Sequence, residues 1–177
     1  MELRQIRRVV TAEDEQGRSY IAEDGASPSV RTVPERPGYQ VTNLWCTRGA
    51  PPRIGDADAI ATHVGLPPPE QGTLLRVVDY PPESADDAER KRQQKATFED
   101  LFKGTDHRPD SRHAGMHRTD TIDYAIVLEG EIVAIMDKGE TVMRAGDILI
   151  QRGTAHAWAN RSGKPARVAF VLLDAKR

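Results

Sequence analysis

Cysteine is almost absent from this 177-residue chain, and so are long apolar runs. Cys46 is the one cysteine, so no disulfide can form within the chain. The first residues lack the apolar stretch of a secretion signal, and we therefore expect the chain in the cytoplasm. The longest apolar runs, residues 124–128 and 168–173, fall far short of the roughly 20 residues that a membrane helix requires. The sequence predicts a soluble protein with no membrane partner.

Charge of one sign is also lacking. The chain has 25 basic and 27 acidic residues, and the basic residues are scattered instead of forming a stripe. No nucleic acid is therefore expected as a partner. The chain contains no glycine-rich phosphate loop, no Gly-x-Ser-x-Gly elbow and no cysteine matched with a histidine cluster. Any catalysis should therefore depend on histidines, carboxylates or a metal ion.

Glycine and proline divide the chain into short segments, with 14 Gly and 12 Pro. Residues 1–72 are predicted to form an N-terminal β arm with loops, which is not an independent domain, and to include a hairpin at 7–21. Residues 73–177 are predicted to form one barrel domain. A charged segment within it, at about 84–104, predicts a short helical insertion on the surface.

The second half of the chain is a series of short β-prone runs. Residues 122–128 and 132–136 flank a Glu-Gly-Glu turn, which predicts a hairpin. Further runs follow, separated by Gly146, Gly153 and Gly163. Short strands with glycine turns are typical of a barrel or a sandwich. The predicted fold class is therefore all-β and antiparallel.

The five histidines divide into two groups. His63, His107 and His113 lie in polar segments or loops, where histidines are usually solvated. His117 and His156 lie in or beside β-prone segments. These two are the candidates for a functional site.

Side-chain alternation along strands predicts two polar sets that can face one interior. The first set shares one parity and consists of His117, Thr119 and Asp123. The second set shares a face of a later strand and consists of His156, Trp158 and Asn160. Six residues of straight strand would separate the ends of the first set by ~20 Å. One ion can contact both ends only if the chain turns near Asp120, and the polar segment 118–121 favours such a turn.

These residues resemble the motifs of the cupin family. The family's first motif runs from a His-x-His pair to a Glu and then a Gly, and its matches here are His117, Thr119, Asp123 and Gly130. The second motif runs from a Gly to a His with an Asn four residues further on, and its matches are Gly146, His156 and Asn160. Arg152 replaces the usual Pro, and the spacing is one residue shorter. The resemblance implies a double-stranded β-helix, which is a jelly-roll-like antiparallel barrel.

The resemblance also implies a metal site, since family members with the full motif bind a divalent metal through three histidines and the Glu. Carried over, the metal ligands are His117, Asp123 and His156, with Thr119 at the position of a histidine. Two imidazoles and one carboxylate suit Fe(II), with Zn, Ni, Co or Mn as further options. A site without metal is the alternative, in which Asp123 accepts hydrogen bonds from Thr119, Thr121 or a histidine.

Two further residues are candidates for ligand binding. Trp158 either stacks on a ligand or packs in the core. Arg76 lies within an apolar strand, where a charge is costly unless it is paired or faces a cavity. It therefore binds a carboxylate substrate or pairs with Asp79 or Asp147. The predicted ligand-binding set is Trp158, Arg76, Thr119 and Asn160.

The sequence leaves three functions open. The first is a small-molecule enzyme with an ion on His117, Asp123 and His156, for which the resemblance implies dioxygenation, decarboxylation, isomerisation or dehydration. The second is a metal-free enzyme in which a histidine acts as acid or base and Asp123 fixes its tautomer. The third is a non-catalytic module that binds a small ligand. A homodimer is expected, because the N-terminal segment has no obvious core of its own and sheet edges need cover.

Overall fold

The computed structural model describes residues 5–110 and 112–177. The strands that precede the helix are β1 (Arg7–Glu13), β2 (Ser19–Ala26), β3 (Ser29–Thr32), β4 (Gln40–Thr47) and β5 (Thr73–Tyr80). A 3-10 turn lies at Ile60–Thr62, and the helix α1 spans Asp87–Asp100. The strands that follow are β6 (Asp106–His107), β7 (His117–Arg118), β8 (Thr121–Glu129), β9 (Glu131–Met136), β10 (Glu140–Arg144), β11 (Ile148–Arg152), β12 (His156–Ala159) and β13 (Ala166–Asp174).

Two antiparallel sheets form the barrel. Hydrogen bonding orders the smaller sheet as β10-β9-β12-β7-β6 and the larger one as β11-β8-β13-β5-β4-β3. Successive strands often alternate between the sheets, as in a double-stranded β-helix. The predicted all-β antiparallel barrel is therefore confirmed.

The core lies between the two sheets, and burial alternates along several of their strands with a period of two. In β8 the residues Thr121, Asp123, Ala125 and Val127 are buried, whereas most of those between them are exposed. In β13 the inward side chains include Val168, Phe170 and Leu172. This alternation directs one face of each strand into a common interior.

The predicted hairpin of residues 122–128 with 132–136 is wrong. These residues form β8 and β9, which belong to different sheets: β8 pairs with β11 and β13, and β9 pairs with β10 and β12. Gly130 makes this crossing possible, since it adopts φ 75° and a Cβ there would lie 2.5 Å from the carbonyl oxygen of Pro165. The turn sequence predicts the reversal but not the sheet in which each strand finds its partners.

The N-terminal segment contributes to the barrel. The predicted hairpin forms, since β1 pairs with β2. Beyond it, β3 and β4 extend the larger sheet through β5, with Val41 opposite Val78. The sheet thus begins before the predicted barrel boundary at residue 73, because this pairing buries β4 against the core. Whether residues 1–72 lack independent stability stays a prediction.

The helix α1 lies within the predicted insertion. Asp86 caps it, with Oδ1 accepting hydrogen bonds from the backbone N–H groups of Ala88 and Glu89. Its buried residues, Gln94, Thr97 and Phe98, occupy its second half and reach the barrel interior. Among the residues described, none of the helical segments has the length and apolar character needed to cross a bilayer.

Candidate functional site

The interior of the barrel holds a cavity that is partly open to solvent. Its aromatic lining residues are Tyr39, Tyr80, Phe98, Phe102, Trp158 and Phe170. Six of the seven predicted site residues line it, and five of these six are polar or charged: Arg76, His117, Thr119, Asp123 and His156. The cavity thus combines an apolar wall with a few polar groups, which is the usual composition of a small-molecule site.

His117 and His156 form the centre of the site on the smaller sheet. They are register partners on β7 and β12, and their ring centroids lie 4.3 Å apart. Nδ1 of His117 lies 2.9 Å from the carbonyl oxygen of Gly115, and Nδ1 of His156 lies 3.0 Å from that of Thr154. Because a carbonyl oxygen only accepts hydrogen bonds, each Nδ1 carries the proton and each Nε2 keeps its lone pair.

Burial keeps both imidazoles neutral. It lowers the pKa of His117 to about 3, with a further contribution from His156. It lowers the pKa of His156 to about 4. At neutral pH both rings are therefore hydrogen-bond acceptors at Nε2 and poor bases.

Asp123 faces the cavity from the larger sheet. It is 5% exposed, and its Oδ1 atom is buried without a hydrogen-bond partner among the described residues. Burial raises the pKa of this carboxyl to about 6, although a hydrogen bond with Thr121 and the charge of Arg76 both act to lower it. Ionisation of Asp123 therefore costs free energy, but the ionised form is populated near neutral pH.

The arrangement does not assemble three metal ligands. In the part of the chain that the structure describes, no three His, Cys, Asp or Glu side chains are grouped so that they could hold one ion. The chain does turn near Asp120, as predicted, but the turn carries β8 into the other sheet. Asp123 therefore faces the histidine pair from the opposite side of the barrel. Two imidazoles are fewer than the three protein ligands of catalytic zinc or non-haem iron sites, and the metal assignment stays a prediction.

Three other predicted residues have different surroundings. Trp158 is buried, lines the cavity and packs edge-on against Phe170 at 5.3 Å between ring centroids. Thr119 also lines the cavity, with its hydroxyl 2.8 Å from that of Thr121. Asn160 does not line the cavity. Its amide nitrogen donates to the carbonyl oxygens of Tyr80 and Lys164, so it holds a turn beyond β12.

Two loop histidines contradict the expectation of solvation. His113 is 6% exposed, and its Nε2 lies 2.7 Å from Oε1 of Glu83. His107 stacks on Phe98 with 3.9 Å between ring centroids. The loop folds back over the barrel, which the polar composition of residues 105–116 did not reveal.

Arg36 and Gln94 also line the cavity, but no pattern in the sequence predicted them as site residues. Arg36 lies in a Gly- and Pro-rich segment, and its guanidinium carbon is 4.2 Å from the ring centroid of Tyr39. Gln94 lies on α1, whose polar surface resembles a solvated helix. Phe98 on α1 also lines the cavity and was not selected from the sequence. The apolar residues in the last turn of the helix could have indicated that this turn packs against the barrel.

The cupin domain family model matches residues 106–172. Cupin-domain-containing oxidoreductase srdD of Neurospora crassa is 30% identical to the chain over 182 residues, which are 98% of this chain and 78% of that protein. Cupin-domain-containing oxidoreductase fogC of Aspergillus ruber is 30% identical over 181 residues, 97% of this chain and 74% of that protein. The chain therefore belongs to the cupin family.

A shorter and stronger similarity covers part of the chain. Phomopsin biosynthesis cluster protein D of Diaporthe leptostromiformis is 51% identical over 63 residues. This match spans 34% of this chain and 33% of the length of that protein.

Proposed function

We propose that this chain is an enzyme that acts on a small, largely apolar molecule inside the barrel, with Asp123 moving a proton. The observation that carries the proposal is the buried Oδ1 of Asp123, which has no partner among the described residues and belongs to a side chain that lines an aromatic-walled cavity. The relatives named as oxidoreductases, which match nearly the whole chain, support an enzyme of the cupin family acting on small molecules.

The chemistry follows from the protonation states of the site. A carboxyl with a pKa of about 6 is mostly ionised near neutral pH and can act as a general base. Asp123 takes a proton from a carbon next to a carbonyl group, and the electron pair of the C–H bond moves into the enolate. The protonated carboxyl then returns the proton to another carbon, which is isomerisation, or to a departing hydroxyl group, which releases water.

The histidines have a different role in this proposal from the one predicted. With pKa values of about 3 and 4 they are poor bases, and backbone carbonyls, not Asp123, orient them. Their Nε2 lone pairs can accept hydrogen bonds from hydroxyl groups of the substrate. His117 and His156 are therefore proposed to bind and orient the molecule from which Asp123 takes the proton.

A metal-dependent oxidoreductase is the second candidate. Two observations favour it: the printed names of the relatives, and imidazoles whose Nδ1 atoms are held by carbonyl oxygens, as in metal-ligating histidines. Elemental analysis of protein purified without an affinity tag tests it. About one Fe, Zn, Ni, Co or Mn ion per chain, lost on replacing either His117 or His156, would favour this candidate.

Proton exchange tests the proposed function. The protein is incubated in D2O with a panel of aryl ketones and keto acids, and loss of the C–H signal next to the carbonyl is followed by proton NMR. Wild-type protein should accelerate exchange in at least one compound, and Asp123→Asn should reduce the acceleration about 100-fold or more. Asp147→Asn is the matched control, because Asp147 is exposed in a turn outside the cavity. Exchange that survives Asp123→Asn, or that no compound shows, contradicts the proposal.

A further inference from the structure

Arg76 lines the cavity and has unused hydrogen-bonding capacity. It lies on β5 and is 1% exposed. Its Nη2 donates to the carbonyl oxygens of Gly65 and Leu66, at 3.1 Å each. Its Nε and Nη1 atoms are buried without a partner among the described residues. Asn43, the register partner on β4, does not accept from them, since its amide oxygen is also without a partner there.

The carboxylates predicted to pair with Arg76 are engaged elsewhere. Asp79 binds Arg167 through both oxygens, at 2.7 and 2.9 Å. Asp147 accepts a backbone N–H of its own turn. Asp123 shares the cavity with Arg76, but its free Oδ1 shows that it does not neutralise the two unused nitrogens through that atom. A buried guanidinium with open donors is costly, and an anionic ligand would remove that cost.

The ionisable side chains that line the cavity give it a net positive charge. Among the described residues that line it, Arg36 and Arg76 are basic and Asp123 is the one carboxyl. His117 and His156 add no charge at neutral pH, because burial lowers the pKa of both. Burial also lowers the pKa of Arg76, to about 10, which leaves the guanidinium charged under the same conditions.

An aromatic surface leads from Arg76 towards the histidine pair. The Arg76 guanidinium carbon lies 5.8 Å from the ring centroid of Phe102. Phe170 is the register partner of Arg76 on β13, and its ring centroid lies 5.3 Å from that of Trp158. Trp158 in turn packs edge-on against His156, at 5.9 Å between ring centroids. A flat apolar body can therefore lie along these rings with one end at the guanidinium.

We propose that Arg76 anchors the carboxylate of an aromatic acid, whose ring lies against Phe102, Phe170 and Trp158. The inference rests on the proposed function, because it names the class of molecule that the cavity receives. A carboxylate oxygen accepts hydrogen bonds from the open Nε or Nη1 atoms, and the ring replaces water along the aromatic wall.

A pair of probes with the same shape tests the anchor. Isothermal titration calorimetry at neutral pH compares 2-naphthoate, which is anionic, with 2-naphthamide, which is neutral. Wild-type protein should bind the acid about 10- to 100-fold more tightly than the amide, the ratio expected from a charge-assisted hydrogen bond. Arg76→Gln should abolish this preference. Arg36→Gln should keep it, since Arg36 lines the same cavity but is already placed over Tyr39 and close to Gln94 and Thr97.

Each outcome decides the inference. Equal affinities in the wild-type protein, tighter binding of the amide, or no binding of either probe would overturn it without any variant, so a misfolded Arg76→Gln protein would not hide a failure. A preference that is lost in Arg36→Gln but kept in Arg76→Gln would also overturn it. Asp123→Asn should bind the acid more tightly than wild type, because it removes a negative charge that repels the acid from the cavity. Acid binding without proton exchange would contradict the proposed function alone, and exchange without acid preference would contradict the anchor alone.

Discussion

His117 and His156 occupy one register position of the β7–β12 pair, where their rings lie 4.3 Å apart and inclined by 50°. Each Nδ1 proton points to a backbone carbonyl two residues earlier in the chain. Two imidazolium charges at this separation in a buried site would repel each other strongly. The backbone thus fixes the orientation of both rings, while burial keeps both uncharged.

We predict that His156→Ala raises the pKa of His117. His156 helps to lower the pKa of His117, and its removal also admits water beside the remaining ring. NMR titration of ring-labelled histidine measures the change.

The same variant, His156→Ala, should abolish uptake of metal or of a small ligand and shift the thermal midpoint by only a few degrees, because the side chain lines a cavity. Unfolding of His156→Ala, with His117→Ala silent, would show that His156 is structural and that the site is misplaced.

Asp123 and the histidines should affect stability with opposite dependence on pH. The folded pKa of Asp123 is raised from 3.8 to about 6, so its contribution to stability is present at low pH and is lost as pH rises through 6. Asp123→Asn should therefore gain free energy of unfolding relative to wild type between about pH 4 and 7, with an upper limit of roughly 3 kcal/mol. Denaturant unfolding at a series of pH values measures this gain. A difference that is constant across the range would contradict the raised pKa.

The histidines act in the other direction. Their folded pKa values, about 3 and 4, lie below the ordinary 6.5, so their contribution is present above pH 6.5 and is lost as pH falls towards 4. Wild-type protein should therefore lose stability over that acidic range. His156→Ala should lose less, which the same unfolding series detects.

The sequence predicted the fold better than the site. Glycine turns, strand parity and the motif at His117 and His156 were enough to predict an antiparallel cupin barrel, because these signals are local. The partners of each strand are not local: residues 122–128 and 132–136 look like a hairpin, yet they pair in different sheets. That pairing also explains why Asp123 lies across the barrel from His117, with which it shares a motif.

Side-chain partners were the least predictable feature. Arg76 was recognised as a costly buried charge, but its predicted partner Asp79 binds Arg167 from β13, a strand that is remote in sequence. His113 was expected in solvent and instead contacts Glu83. Each of these contacts joins segments that are far apart along the chain, and neither composition nor periodicity reports such distances.

The predicted homodimer has a surface that would suit it. Strand β11 is an edge of the larger sheet, and Ile148 and Ile150 on it are 62% and 53% exposed. Tyr124, the register partner of Ile150, is exposed beside them. An open edge with large apolar side chains favours pairing with a second copy. Light scattering at micromolar concentration should therefore give twice the chain mass of 19.6 kDa.

A charge on this surface should prevent the association. We expect Ile150→Lys to shift the protein to the monomer, because the lysine would be buried against the partner copy. Val142→Lys is the matched control, since Val142 is 43% exposed on β10, an edge of the other sheet. A wild-type monomer, or dissociation caused by Val142→Lys and not by Ile150→Lys, would contradict this placement of the interface.

Gly130→Ala should destabilise the barrel more than Gly163→Ala. Both glycines have φ 75°, so an alanine at either position meets the same backbone penalty, about 1–2 kcal/mol. The surroundings differ: a Cβ at Gly163 meets nothing within 4 Å, whereas one at Gly130 lies 2.5 Å from the carbonyl oxygen of Pro165 and 3.0 Å from Cα of Ala166. The contacts at Gly130 are backbone atoms beside β13, which cannot move without disturbing the crossing from β8 to β9. Thermal unfolding should show a midpoint lowered by a few degrees for Gly163→Ala, at about 2–4 °C per kcal/mol, and by clearly more for Gly130→Ala. Equal shifts would mean that the crossing is not held by close packing at Gly130.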